Sequence, residues 1–197
     1  MSPDPAVAKS RPAVAKSRGA GWAVAGTTVA VLVADQVTKS LVVAGRIRDG
    51  SSLGWLTVRV VRNHGASGGI ASGYPILVTL VALAITAVAA AFVVRASGRG
   101  AALCLAAVLG GALGNLADRL FRSPGLGRGG VVDWIHLSFA GGGSLDLADL
   151  AIQFGVLGAV AAMLVAGSAR KTAGPAPRTG CCRLSCGDGR EPTGAHE

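Results

Sequence analysis

The chain has 197 residues, 51% of them hydrophobic and only 15% charged, with a mean hydropathy of +0.53. Soluble domains carry about 25% charged residues, so this composition argues against a water-soluble globule. The 30 glycines lack a collagen period, and the apolar content is too high for a disordered chain. A net charge of +9 and a pI near 10.5 suggest nucleic acid only in a soluble protein; here the basic residues follow a membrane topology, and no nucleic-acid partner is expected.

In chain order, PAVAKSR occurs twice, at 5–11 and 12–18. Two copies are too few for a solenoid, and residues 1–19 read as a disordered basic tail touching anionic lipid. A first apolar span runs from about Gly21 to Ala44. Asp35, Gln36, Thr38 and Lys39 interrupt it, so it is retained rather than removed as a signal peptide. Residues 45–74 form a first exported loop in which LTVRVV, from Leu56, alternates as a half-buried strand does. A small sheet on the outer bilayer surface is expected there, with Trp55 as interfacial anchor. Asp49, in a polar turn, needs no role.

The second span covers Pro75 to Val94 and the third Ala101 to about Ala117. In the third, Gly110 and Gly114 lie on one helical face, where small residues let helices approach closely, and Cys104 reads as packing. A glycine-rich second exported loop, about 118–146, is expected to be partly flexible. The fourth span runs from about Leu147 to Gly167, each span meeting the roughly 20 residues that a hydrocarbon core requires. Residues 169–197 form a second disordered basic tail. Its Cys181, Cys182, Cys186 and His196 lack zinc-ligand spacing, so no metal is expected. The fold class is therefore an α-helical polytopic membrane protein: four transmembrane helices in one domain, 20–168, with a small exported β-sheet region in the first outer loop. Eleven Lys and Arg fall on the two tails and the 95–99 gap against seven on the other two loops, which places both termini in the cytoplasm.

The ten acids carry the functional signal. Asp35, Asp118, Asp133, Asp146 and Asp149 all fall inside or at the ends of apolar segments, near one membrane surface, where a charge is costly and seldom kept without use. Two carboxylates about 3 Å apart share one proton. Such a pair activates water and polarises an amide carbonyl, which is aspartyl peptide hydrolysis. No Ser/His/Asp set is evident around His64 or His136. Composition and topology alone leave a proton relay equally open.

The detailed strings separate the two. DQVTK at 35–39, N-x-G-A at 63–66, GNLADR at 114–119, VVDW at 131–134 and LADL at 147–150 resemble signal peptidase II, the bacterial lipoprotein signal peptidases, over residues 20–167. The resemblance implies an intramembrane aspartyl endopeptidase of the bacterial cytoplasmic membrane, acting near the outer leaflet. Such enzymes remove the signal peptide of diacylglyceryl-modified prolipoproteins just before the lipidated cysteine, and the family is the target of globomycin. Carried over by position, Asp133 and Asp149 are the catalytic pair. Asn63, Asn115 and Arg119 line the substrate cleft and Asp35 matches a supporting acid; Gly65, Asp118 and Asp146 are further supporting candidates beside them. The implied partners are prolipoproteins and membrane lipids, the implied state is a monomer, and no cofactor is implied.

Asn115 and Arg119 share a helix face. Against a substrate role, Arg119 has the alternatives of snorkelling to headgroups or pairing with Asp149 or Asp118; for Asp118 a structural ion pair or helix-end role is favoured. Two departures from the family pattern stand out. NHGASGG places Ser67 and Gly68 where the family has an aromatic, and Asp146 replaces an asparagine three residues before Asp149. The extra carboxylate either raises the proton affinity of the pair or points to water. A proton-coupled transporter using Asp35 and Lys39 as a relay is the main alternative, although no inverted repeat is visible. A noncatalytic scaffold leaves five costly acids unexplained.

Overall fold

Each apolar stretch satisfies its backbone internally by becoming a helix, as a lipid-exposed segment must. A computed structural model describes residues 18–66, 69–138 and 143–172. Within them lie helices α1 (Arg18–Val43), α2 (Pro75–Arg95), α3 (Arg99–Phe121) and α4 (Leu147–Thr172). All four are long and apolar enough to cross a membrane, and this is an α-helical polytopic membrane protein. Val29, Val33, Leu80, Ile85, Leu157 and Val160 point outward from the bundle, as lipid-facing side chains do. Pro75 opens α2, where its missing N–H costs nothing. The helices α1 and α4 run past the expected boundaries at 20 and 168, and the third span extends four residues beyond Ala117 to Phe121, taking Asp118 and Arg119 into the helix. The PAVAKSR repeat and the cysteines at 181, 182 and 186 lie outside the described residues.

The central helix is α3, which packs against the other three. Its glycines make this possible. A Cβ on Gly110 would sit 2.7 Å from the Thr28 carbonyl oxygen of α1, one on Gly111 2.5 Å from the Ala148 carbonyl of α4, and one on Gly114 would collide with the Asp35 carboxylate. Gly155 of α4 is pressed in the same way against Cys104 of α3. Where lipid removes the hydrophobic drive for helix association, such close contact is what holds a bundle together.

At one end of the bundle the two interhelical loops join in a single antiparallel sheet, ordered β1 (Ser52–Leu53), β2 (Leu56–Asn63), β3 (Val131–Leu137), β4 (Ser144–Leu145). The expected strand at LTVRVV is β2, extended to Asn63. The sheet is not confined to the first loop, because VVDWIHL of the second loop is its other long strand. Val131, Val132 and Ile135 are buried, so a run that reads as merely apolar is a buried β-branched strand. Register pairs Val61 with Asp133 and Asn63 with Val131, with an irregularity between Val58 and Val61. The second loop is thus anchored through its middle.

Gly111→Val forces a branched side chain into the α4 backbone. Overpacking of this kind costs about 1–3 kcal/mol, and the variant is expected to unfold at a lower temperature than wild type in detergent, as read by a thermal scan of the purified protein.

Candidate active site

The site forms where the sheet meets the helix ends. Three carboxylates converge: Asp133 from the middle of β3, Asp146 immediately before α4, and Asp149 in the first turn of α4. One oxygen from each lies within 4.8 Å of the others. Asp133 and Asp146 are buried, whereas Asp149 is partly exposed. Asp146 does not point to water: it is fully enclosed. Its Oδ1 accepts the backbone N–H of Asp149 at 2.7 Å, so it caps α4 as an acid at a helix N-terminus should.

Beneath the three acids sits Lys39 of α1, with no solvent exposure. Its Nζ lies 2.9 Å from Asp35, 3.0 Å from Asp118 and 2.6 Å from Asp146. It also donates to Asn115 Oδ1 at 3.0 Å. With its oxygen engaged, the Asn115 amide turns its Nδ2 to Asp149 Oδ1 at 3.0 Å. Asp35 Oδ1 accepts the backbone N–H of Ala148 at 3.1 Å, and Asp118 Oδ2 accepts that of Val132 at 3.1 Å. Gln36 donates to both acids, and Arg122 pairs with Asp118. The two residues that a proton relay would use, Asp35 and Lys39, are paired within this larger cluster of acids and amides. Three clustered carboxylates have a spacing suited to a cation, and here the Lys39 ammonium is the positive charge set against Asp146.

On the other flank, Asn63 Nδ2 reaches Asp133 Oδ2 at 3.4 Å while its Oδ1 accepts the Gly65 N–H at 3.0 Å. Gly65 is hemmed in by the backbone of Gly69 and Ile70 at 2.5 Å from where a Cβ would stand, so the turn closes only around glycine. Arg119 is buried, neither snorkelling nor paired with either acid within ion-pair distance. Its Nη2 donates to the Gly65 carbonyl at 2.7 Å, and its Nη1 is buried without a hydrogen-bond partner. The structure brings all nine sequence-predicted positions together: 35, 115, 118, 146 and 149 around Lys39, and 63, 65, 119 and 133 on the sheet side, the two groups meeting at the three carboxylates. Ser67 and Gly68 lie outside the described residues. Sequence reasoning missed Lys39 as the hub. The signal that finds it is charge balance, because Lys39 is the lone cation in a span facing five acids.

Burial, then the nearby carboxylates of Asp146 and Asp149, push the Asp133 carboxyl up to about 7, against the opposing Asn63 hydrogen bond and the Lys39 charge. Burial also raises Asp146, although Lys39 pulls it back. A cleft of about 420 Å³, lined by Asn63, His64, Asp133 and His136 with Arg59 and Arg62, opens onto this carboxylate group.

Comparison with known proteins gives a consistent picture. A family model described as signal peptidase (SPase) II matches residues 27–165. The lipoprotein signal peptidase of Leifsonia xyli subsp. xyli is 34% identical over 154 residues, covering 76% of this chain and 70% of that protein. The lipoprotein signal peptidase of Streptomyces coelicolor is 39% identical over 104 residues, 51% of this chain. That of Rhodococcus jostii is 41% identical over 114 residues, 55% of this chain. The matched stretch is about half the length of these last two relatives, 48% and 57% respectively. A solved bacterial membrane enzyme has a TM-score of 0.62 at 26% identity, covering 76% of this chain and 92% of that one.

Because the folded Asp133 carboxyl titrates near 7 and an unfolded one near 3.8, its stabilising contribution is complete below the lower value and lost as pH rises through the higher one. Asp133→Asn is therefore expected to flatten the fall in unfolding temperature between pH 5 and pH 8, measured by thermal scans of both proteins in the same detergent.

Proposed function

Since this chain belongs to the signal peptidase II family, we propose that it is an aspartyl endopeptidase that cleaves diacylglyceryl-modified prolipoproteins just before the lipidated cysteine. The observation that carries this reading is the meeting of Asp133, which lines the cleft, with Asp149, on two separate elements that only the folded protein brings together. Two carboxylates this close hold one proton in common at neutral pH. With the proton on Asp133, that residue hydrogen-bonds the scissile carbonyl oxygen. Asp149, oriented by Asn115, takes a proton from the attacking water. The oxygen of that water bonds to the carbonyl carbon. As the C–N bond breaks, Asp149 returns its proton to the departing amine.

Further features support the substrate side. Arg119 Nη1 is a free donor among the described polar groups, suited to a peptide carbonyl near Gly65. An apolar groove lined by Ala34, Leu103, Leu147 and Phe154 runs beside the first turn of α4, where a signal helix or acyl chain finds lipid-like contact. Placing the sheet outside, as the charge distribution favours, puts the acids near the outer leaflet and both termini in the cytoplasm. The alternative, a proton-coupled transporter, gains no specific support from an Asp35–Lys39 pair whose partners, Asp118, Asp146 and Asn115, lead to the same carboxylate site.

Asp133→Asn and Asp149→Asn are each expected to lower cleavage of a lipidated prolipoprotein by ~10³-fold or more, on the scale of general acid–base contributions, while the protein still inserts. The check is a gel shift between precursor and mature lipoprotein in reconstituted membranes; full cleavage by both variants overturns the assignment. For wild type, kcat/KM is expected to fall as pH rises through about 7, where Asp133 loses its proton.

A further inference from the structure

We infer that Asp146, held by Lys39, is a positioning residue that sets how far up the pH scale the Asp133–Asp149 pair keeps its shared proton. This rests on the catalytic reading above and concerns a carboxylate that stands where the family pattern has a neutral amide. Asp146 fixes Asp149 mechanically, through the 2.7 Å bond from the Asp149 backbone N–H, and is itself fixed by the 2.6 Å contact with Lys39. An asparagine also caps a helix, so the cap alone does not require the charge. What the carboxylate adds is negative charge within 4.8 Å of both partners.

The groups facing Asp133 can be named element by element. They are Asp146 and Asp149 at the start of α4, Lys39 on α1, Arg119 on α3 and Asn63 on β2, and Arg59, Arg62, His64 and His136 line the same cleft as Asp133 from the sheet and the turn after β2. Asp35 and Asp118 face the same Lys39. Lys39 is shared among three acids, with Arg122 also paired to Asp118, so it offsets Asp146 only in part. The residual negative charge beside the pair makes losing its last proton harder. Among the causes acting on Asp133, the Asp146 carboxylate follows burial directly. A neutral side chain at this position leaves the pair to ionise earlier.

The test is the pH profile of kcat/KM for Asp146→Asn in reconstituted membranes with a lipidated prolipoprotein. The descending limb is expected to move down by about one pH unit relative to wild type, the size of shift a partly screened charge at this distance gives. A second measurement does not depend on turnover: the carboxylic acid infrared band of the whole enzyme, titrated with pH, should lose intensity at lower pH in Asp146→Asn. An unmoved limb together with an unmoved band overturns the inference while leaving the peptidase reading intact. Full cleavage by Asp133→Asn and Asp149→Asn overturns that reading instead. Asp146→Ser, which keeps a capping oxygen without the charge, is expected to shift the limb in the same direction; a limb that moves only in one of the two variants assigns the effect to shape and sinks the charge argument.

Discussion

A single buried ammonium organises this protein. Lys39 cannot enter a bilayer-spanning bundle uncompensated, and its four partners come from three different parts of the chain: Asp35 from its own helix, Asn115 and Asp118 from α3, and Asp146 from the start of α4. Breaking a buried ion pair by removing one partner costs about 3–5 kcal/mol, so the three helices are tied at one level of the bundle. The same acids then use their remaining oxygens on backbone. Asp35 holds Ala148, Asp118 holds Val132 and Asp146 holds Asp149. Each of those bonds fixes a segment that carries Asp133 or Asp149. The geometry of the Asp133–Asp149 pair is thereby a consequence of how one positive charge is satisfied.

The sheet completes the arrangement from the other side. Pairing of β2 with β3 places Asn63 beside Asp133 across two loops that are far apart in sequence. Gly65 and Arg119 lock the turn that follows, so the wall of the cleft is built from one loop and braced by the third helix. Rigid elements therefore hold both carboxylates, as a site that must keep two acids in register requires. The small residues of α3 serve the same end, since the approach of α1 and α4 to within backbone contact of Gly110 and Gly111 sets the distance over which Lys39 must reach.

Much of this was legible in the sequence. The four helices follow from apolar length, and Asp133 and Asp149 stand out as acids in apolar settings beside strings that resemble a known family. The buried strand Val131–Leu137 was harder to read, because VVDWI lacks alternation and sits among glycines; only its pairing partner, distant in the chain, reveals it. Asp146 was ambiguous for a related reason. Whether a residue just before a helix faces inward depends on where the helix starts, and that start is decided here by Asp35 and Asp146 themselves. In the sequence Lys39 reads only as one of the polar residues interrupting the first span. Its meaning lies in contacts with residues about 80 to 110 positions later, which local spacing does not encode.

The spacing of Asp35 and Lys39, one helical turn apart and 2.9 Å from each other, bears on biogenesis as well as on the finished enzyme. During synthesis α1 reaches the bilayer before α3 and α4 exist, and an unaccompanied ion there is expensive. Because the helix brings its own counterion, it enters as an internally neutral segment and waits for the later helices to arrive. The charge pair that will anchor the site thus also serves as its passport into lipid.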